Sequence, residues 1–211
     1  ALMVGGPDNM LIGNLVQARF GPMNNWPAGA ALAVVIMRTM ARAGEVKWGA
    51  PRVTLDPAAQ RAPFTFTKPI PPGMYQLAIG YSGKIGTQSN GLFALDYETV
   101  AGKQRGLFTQ FAVSEARSFV PSWDEPAYKA TFALQATVPS DQMAVSNLPA
   151  ISTDDLGNGL TRVRFAPSPK MSTYLLFFAL GDFERATAQS GETEVGVITR
   201  RGALSQGAYA L

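Results

Sequence analysis

The sequence predicts a mainly β fold, an incomplete antiparallel saddle or sandwich with one apolar helix at its amino-terminal end. Short segments alternate apolar and polar residues with a period of two, which is the signature of a half-buried strand. The 21 glycines and 15 prolines among 211 residues supply the many turns that such a fold needs. One uncharged run, PAGAALAVVIM at residues 27–37, predicts the helix, and Pro27 suits its first turn.

The predicted strands follow one another at short intervals along most of the chain. Between two of them, Asp155-Leu156-Gly157-Asn158-Gly159 predicts a hairpin turn, because Asn and Gly accept a positive φ at low cost. Residues 202–211 are predicted to begin a helix that is cut short. The strand segments are 53–55, 64–67, 75–81, 106–111, 129–138, 143–146, 160–165, 174–180 and 194–199.

Residues 1–41 differ in composition from the rest of the chain. A bilayer core needs about 20 apolar residues to be crossed by a helix, so the run at 27–37 predicts either a truncated membrane helix or a buried helix. The stretch GNLVQARFGPMNNWPAGAALAVVIM is similar to the late part of polyamine-type ABC transporter permeases. This resemblance leaves a membrane as one candidate partner, contacted through residues 11–41. It also predicts a chimeric reading frame, in which fragments of two families meet.

The composition excludes several classes of function. The chain contains no Cys and no His, so it has neither disulfides nor the ligands of a typical catalytic zinc site, and it has no Ser-His or Cys-His pair. Its net charge is +3 and its basic residues are scattered, which does not favour nucleic-acid binding. No phosphate-binding glycine motif occurs, so nucleotide binding has no support.

Asp124 and Glu125 form the most conspicuous acidic pair. Adjacent residues point in different directions, so this pair does not suit a catalytic dyad. The run Trp123-Asp124-Glu125-Pro126 instead predicts a turn whose carboxylates accept hydrogen bonds from the backbone or from Arg117.

Three blocks carry a more specific signal. They are TQFAVSEARSFVPSWDEPAYKATFALQATVP from Thr109, AVSNLP from Ala144, and KMSTYL from Lys170 with Gly-Asp-Phe following at 181–183. In this order they resemble the amino-terminal domain of zinc aminopeptidases of the aminopeptidase N family. A looser similarity through residues 81–85 extends the match to about residues 46–211, which sets the second predicted domain.

The resemblance implies a β-saddle domain that packs on a thermolysin-like catalytic domain and takes part in removing amino-terminal residues from peptides. That catalytic domain supplies Gly-x-Met-Glu-Asn and the zinc motif H-E-x-x-H, and neither motif occurs here. The chain is therefore expected to stop before its partner domain, to bind no zinc itself and to be inactive alone. Zinc is expected in the full-length enzyme, and both the bacterial periplasm and the cytoplasm stay open as compartments.

The resemblance assigns one substrate-binding residue, Gln110. In the family this Gln helps to hold the amino terminus or the first side chain of the peptide substrate, and an amide can accept from an ammonium group and donate to a carbonyl. Many relatives carry an acid two residues later, where this chain has Ala112. The alternative is that Gln110 is an ordinary strand residue.

Lys170, Ser172 and Tyr174 would suit a Ser-Lys hydrolase, but the resemblance makes them structural. Two other functions stay open for the whole chain. One is a β-rich binding or scaffold module without catalysis, and the other is a membrane-attached remnant of a permease.

Overall fold

The computed structural model describes residues 51–69, 75–83 and 85–211, together with four strands nearer the amino terminus. Within these residues the fold is mainly β. The strands are β1 (Leu2–Val4), β2 (Asn14–Arg19), β3 (Val34–Arg42), β4 (Glu45–Trp48), β5 (Arg52–Val53), β6 (Phe64–Thr65), β7 (Tyr75–Ser82), β8 (Gly91–Thr99), β9 (Gly102–Gln110), β10 (Lys129–Ala130), β11 (Phe132–Pro139), β12 (Met143–Ser146), β13 (Ala150–Gly157), β14 (Leu160–Phe165), β15 (Met171–Ser172), β16 (Phe178–Gly181), β17 (Phe183–Ser190) and β18 (Thr193–Arg200).

Most of these strands belong to three four-stranded sheets. The first has the order β1-β7-β3-β4, the second β13-β14-β11-β2 and the third β12-β16-β9-β8. The pairs β5–β6, β10–β15 and β17–β18 form separate two-stranded sheets. Strand pairing is antiparallel except between β2 and β11, which run parallel. The predicted mainly β, antiparallel class is therefore confirmed.

The second and third sheets contribute to one apolar core. Along β11 the side chains of Phe132, Leu134, Ala136 and Val138 are buried, as a half-buried strand requires. They belong to one continuous apolar cluster to which β14, β9 and β16 also contribute, through Val163, Phe165, Leu107, Phe178 and Leu180. Each large side chain buried in this way stabilises the fold by about 1.5–3 kcal/mol.

The apolar helix predicted at residues 27–37 is wrong where the structure describes that run. Residues 34–37 belong to β3, which pairs with β7 from Val34↔Ser82 to Arg42↔Tyr75, while residues 27–33 lie outside the described residues. Val34, Val35 and Ile36 are β-branched, so they lose rotamer freedom in a helix and favour a strand. A short apolar run does not distinguish the two structures by its periodicity, and here the pairing with β7 decides.

The amino-terminal segment also pairs with the remainder of the chain at two other places. β1 lies beside β7, and β2 runs along β11 from Asn14↔Phe132 to Arg19↔Thr137. Among the described residues, no helix has the length and apolar character needed to cross a bilayer. The boundaries predicted at 1–41 and 46–211, the permease resemblance and the chimeric frame stay predictions.

Several local predictions are confirmed and one strand is confirmed only in part. The turn between β13 and β14 has positive φ at Gly157, Asn158 and Gly159 (73°, 54° and 72°). A short helix, α1 (Leu204–Gly207), begins within the predicted carboxy-terminal helix. The strand predicted at 174–180 is confirmed at residues 178–180, which lie in β16. Its first part is wrong, because residues 174–175 belong to a 3-10 turn, Thr173–Leu175, in which the Thr173 hydroxyl donates to Asp124 on another segment.

Candidate functional site

Gln110 is the last residue of β9, which lies between β16 and β8 in the third sheet. Its neighbours Thr109 and Phe111 are 9% and 1% exposed, whereas Gln110 is exposed. Successive side chains of a strand point to opposite faces, so the burial of its neighbours directs Gln110 outward. Within the described part of the chain, the Gln110 amide has no hydrogen-bond partner. The site considered below is the Gln110 segment, residues 109–126.

The backbone at Gln110 is fixed from both sides of β9. On one side Gln110 pairs with Gly91, the first residue of β8. On the other side the paired residues of β9 and β16 end at Phe108↔Ala179. One residue further on, the Thr109 hydroxyl accepts a hydrogen bond from the Phe178 N–H (2.8 Å) and donates one to the Phe178 carbonyl (3.2 Å). The side chain of Thr109 thus continues a contact that the backbone ladder no longer makes.

Gly91 allows the Gln110 segment to fold back over the start of β8. Its φ is +62°, in the region that favours glycine, and a Cβ atom there would lie 2.4 Å from the Ser118 Oγ. The Ser118 hydroxyl donates to the Glu115 carbonyl (2.6 Å) in the same turn. Below this turn the rings of Phe111 and Phe119 lie 5.4 Å apart and extend the core under the segment.

A buried ion pair closes the Gln110 segment. The Asp124 side chain is 1% exposed and its Oδ2 accepts from both the backbone N–H (3.0 Å) and the Nε (3.2 Å) of Arg117. Arg117 also donates from Nη2 to the Asp124 carbonyl (2.7 Å). The other carboxylate oxygen of Asp124 accepts from the Thr173 hydroxyl (2.5 Å). A buried carboxylate is tolerated only when its acceptors are satisfied in this way.

Arg117 joins this pair to the loop between β5 and β6. Its Nη1 donates to the Gln60 Oε1 at 3.1 Å, and Gln60 has a positive φ of 53°. Glu125 is 65% exposed, and its Oε1 lies 3.9 Å from the Arg117 Nη2. Asp124 therefore points into the domain and Glu125 points outward. The predicted turn, in which the Asp124 carboxylate accepts hydrogen bonds from Arg117, is confirmed.

The remaining residues singled out from the sequence have structural surroundings. Ser172 is buried and its hydroxyl donates to the Pro126 carbonyl at 2.7 Å. Lys170 is exposed and Tyr174 packs at the edge of the core, so the three side chains do not form a nucleophile with its base. Ala112 is exposed and brings no carboxylate next to Gln110.

Sequence reasoning missed the side chains that position the site. Besides Thr109 and Thr173, Asn147 holds the chain just before β16 by donating to the Leu175 carbonyl (2.8 Å) and accepting from the Phe177 N–H (2.7 Å). Asn147 belongs to the block AVSNLP, whose position in the resemblance was the available signal. Its partners are about 30 residues away in sequence, so spacing alone could not reveal them.

The donor set does not fit a resident zinc ion. Over the part of the chain that the structure describes, no three His, Cys, Asp or Glu side chains are placed to hold a metal. The whole sequence lacks His and Cys, the usual nitrogen and sulfur ligands of zinc. The described residues therefore do not offer the ligand set of a typical zinc site.

These features define a β-domain that presents one well-fixed amide at a strand end. Residues 41–175 match the Peptidase M1 N-terminal domain, and the chain belongs to this family. It is 42% identical to Aminopeptidase N of Acetobacter pasteurianus over 160 residues, which are 75% of this chain and 45% of that protein. This family membership confirms the resemblance to the amino-terminal domain of the aminopeptidase N family, and the family match covers residues 41–175.

More distant relatives are longer still. The chain is 35% identical to Aminopeptidase M1-C of Oryza sativa subsp. japonica over 147 residues, 69% of this chain and 17% of the relative. It is 37% identical to Puromycin-sensitive aminopeptidase of Caenorhabditis elegans over 143 residues, 66% of this chain and 15% of the relative. The chain thus spans less than half the length of the curated relatives it matches.

Proposed function

We propose that this domain lines the substrate cleft of a zinc metalloaminopeptidase, and that Gln110 contacts the amino-terminal end of the peptide substrate. The observation that carries the proposal is the state of Gln110 itself. Its backbone is fixed on both sides, by Gly91 and by Thr109, while its side chain is exposed. A polar group so firmly placed at a strand end suits the binding of a ligand better than a contribution to stability.

The amide suits both groups at the amino-terminal end of a peptide. Its carbonyl oxygen can accept from the ammonium group, and its NH₂ can donate to a peptide carbonyl. A hydrogen bond to a charged partner is about twice as strong as a neutral one. Because Ala112 stands where many relatives have an acid, the Gln110 segment would recognise the ammonium group through a dipole rather than through a carboxylate.

The zinc chemistry belongs to a partner domain in this proposal. This chain has no His and no Cys to hold the metal, so its part is to bind and orient the substrate. The isolated chain is expected to show no turnover of an aminoacyl-arylamide, with zinc added and a chelator as control. Chelator-sensitive turnover by the isolated chain would contradict this division of labour.

The direct test compares Gln110→Ala with wild type in the domain expressed together with the zinc domain that the proposal requires. Losing a hydrogen bond to a charged group costs about 1.5–3 kcal/mol, so we expect kcat/KM on an aminoacyl-arylamide to fall by about ten- to a hundredfold. Gln189→Ala, at an exposed position of β17, is the matched control and should leave kcat/KM unchanged. An unaltered kcat/KM in Gln110→Ala would favour the scaffold function instead.

A further inference from the structure

We propose that Thr109 is a positioning residue for substrate binding, acting through Gln110 and not through contact with the substrate. The inference rests on the proposed function of Gln110. Thr109 and Gln110 are adjacent in β9, so their side chains point to opposite faces of the sheet. The buried Thr109 hydroxyl makes its hydrogen bonds to the backbone of Phe178 within the domain, away from the exposed Gln110 amide.

The need for such a residue follows from the geometry of the sheet. The paired residues of β16 and β9 end at Phe108, so Gln110 lies two residues beyond the last of them. On this side, the two Thr109 hydrogen bonds hold the strand end next to β16. A shift of about 1 Å in a group that positions a substrate can lower the rate by about a hundredfold, so a strand end free to move would be costly.

Phe178 is a firm support because the chain before it is fixed independently. Asn147 makes two hydrogen bonds to the backbone of residues 175 and 177, and the Ser146 hydroxyl donates to the Phe177 carbonyl at 2.7 Å. Phe178 itself is fully buried in the core. Thr109 therefore joins Gln110 to a part of the third sheet that is fixed by its own contacts.

The test uses the domain expressed with its zinc domain and compares Thr109→Val with Thr109→Ser. Val keeps the shape of Thr without the hydroxyl, whereas Ser keeps the hydroxyl. We expect Thr109→Val to lower kcat/KM by about ten- to a hundredfold, mainly through KM, and Thr109→Ser to restore most of it. Should Thr109→Val fail to fold, Thr109→Cys takes its place, because a thiol is a weaker donor and acceptor and should give an intermediate loss.

The control Ser168→Ala distinguishes a positioning role of Thr109 from a purely structural one. The Ser168 hydroxyl is also buried, accepts from the Phe132 N–H (3.0 Å) and donates to the Pro169 carbonyl (2.8 Å), but it supports β11 in the other sheet. Ser168→Ala should lower the urea midpoint without changing kcat/KM. If Thr109→Val behaves in the same way, the positioning role is overturned.

The double variant Thr109→Val/Gln110→Ala tests whether Thr109 acts through Gln110. If Thr109 acts through Gln110, the double variant should be no worse than Gln110→Ala alone. Losses that multiply in the double variant would show an independent effect of Thr109 and overturn the inference while leaving the proposed function intact. A silent Gln110→Ala would overturn the proposed function, and the inference with it.

Discussion

Replacing Gly91 by Ala should destabilise the domain by two separable effects. The first is conformational, because the φ of +62° at Gly91 costs a residue with a Cβ atom about 1–2 kcal/mol. The second is steric, because the new Cβ would lie 2.4 Å from the Ser118 Oγ. This exposed hydroxyl can rotate away, but it then loses its hydrogen bond to the Glu115 carbonyl, at a cost of about 0.5–1 kcal/mol. The sum predicts a loss of about 1.5–3 kcal/mol in the free energy of unfolding.

Ser118→Ala separates the two effects. The Ser118 Cβ would lie 3.5 Å from the new Cβ at residue 91, which is an ordinary van der Waals contact, so removing the Oγ removes the clash. Ser118→Ala alone loses one exposed hydrogen bond and should cost at most about 1 kcal/mol. In this background Gly91→Ala should cost only the conformational part, about 1–2 kcal/mol.

The assay is urea unfolding of the four proteins, followed by tryptophan fluorescence. We expect a coupling energy of about 0.5–1 kcal/mol between the two substitutions, compared with less than roughly 0.5 kcal/mol for independent sites. Additive losses would refute the close approach of Ser118 to Gly91. A Gly91→Ala protein as stable as wild type would refute the positive φ as well.

Two further substitutions test charged side chains. Asp124→Asn keeps the shape of the side chain but removes the charge that faces Arg117. We expect the free energy of unfolding in urea at neutral pH to fall by about 1–3 kcal/mol, towards the lower end because Arg117 is partly exposed. A change below about 0.5 kcal/mol would contradict this prediction. At Asp96, the hydrogen bond from Arg105, with Lys103 adding to it, lowers the pKa from 3.8 to about 2. Because this pKa is lower in the folded state, the ionised carboxylate stabilises the folded state at pH values above its ordinary pKa. The stability advantage of wild type over Asp96→Asn should therefore be constant above about pH 5 and shrink as the pH falls from about 4 to about 2. An advantage undiminished at about pH 2 would contradict this prediction.

Features set by local chemistry were the ones that the sequence could predict. The turn at Gly157-Asn158-Gly159 depends on residues that accept a positive φ, and the structure has all three there. The Asp124 carboxylate is only seven residues from Arg117, so the sequence alone could indicate their ion pair. The place of Gln110 came from the resemblance of its surrounding block, not from spacing or periodicity.

Features set by distant partners could not be predicted in the same way. The apolar sequence of residues 34–37 also suits a helix, and only the pairing with β7 shows that these residues form a strand. The apolar run at 174–180 resembles one strand, and it is interrupted because Thr173 donates to Asp124, 49 residues earlier. β8, β13 and β17 were also missed, although each pairs with the next strand along the chain through a short turn, so distance in sequence does not account for these three.

The geometry of the candidate site depends on the same long-range contacts. Thr109 is bonded to Phe178 across 69 residues, Arg117 to Gln60 across 57, and Asp124 to Thr173 across 49. None of these hydrogen bonds can form before both ends are brought together by the packed core, because closing such loops costs conformational entropy. The motif Thr-Gln-Phe therefore specifies which side chain is presented, and the folded sheet specifies where it lies. Under the function proposed for Gln110, a substitution far from it that loosens the third sheet should raise KM as well as lower the urea midpoint.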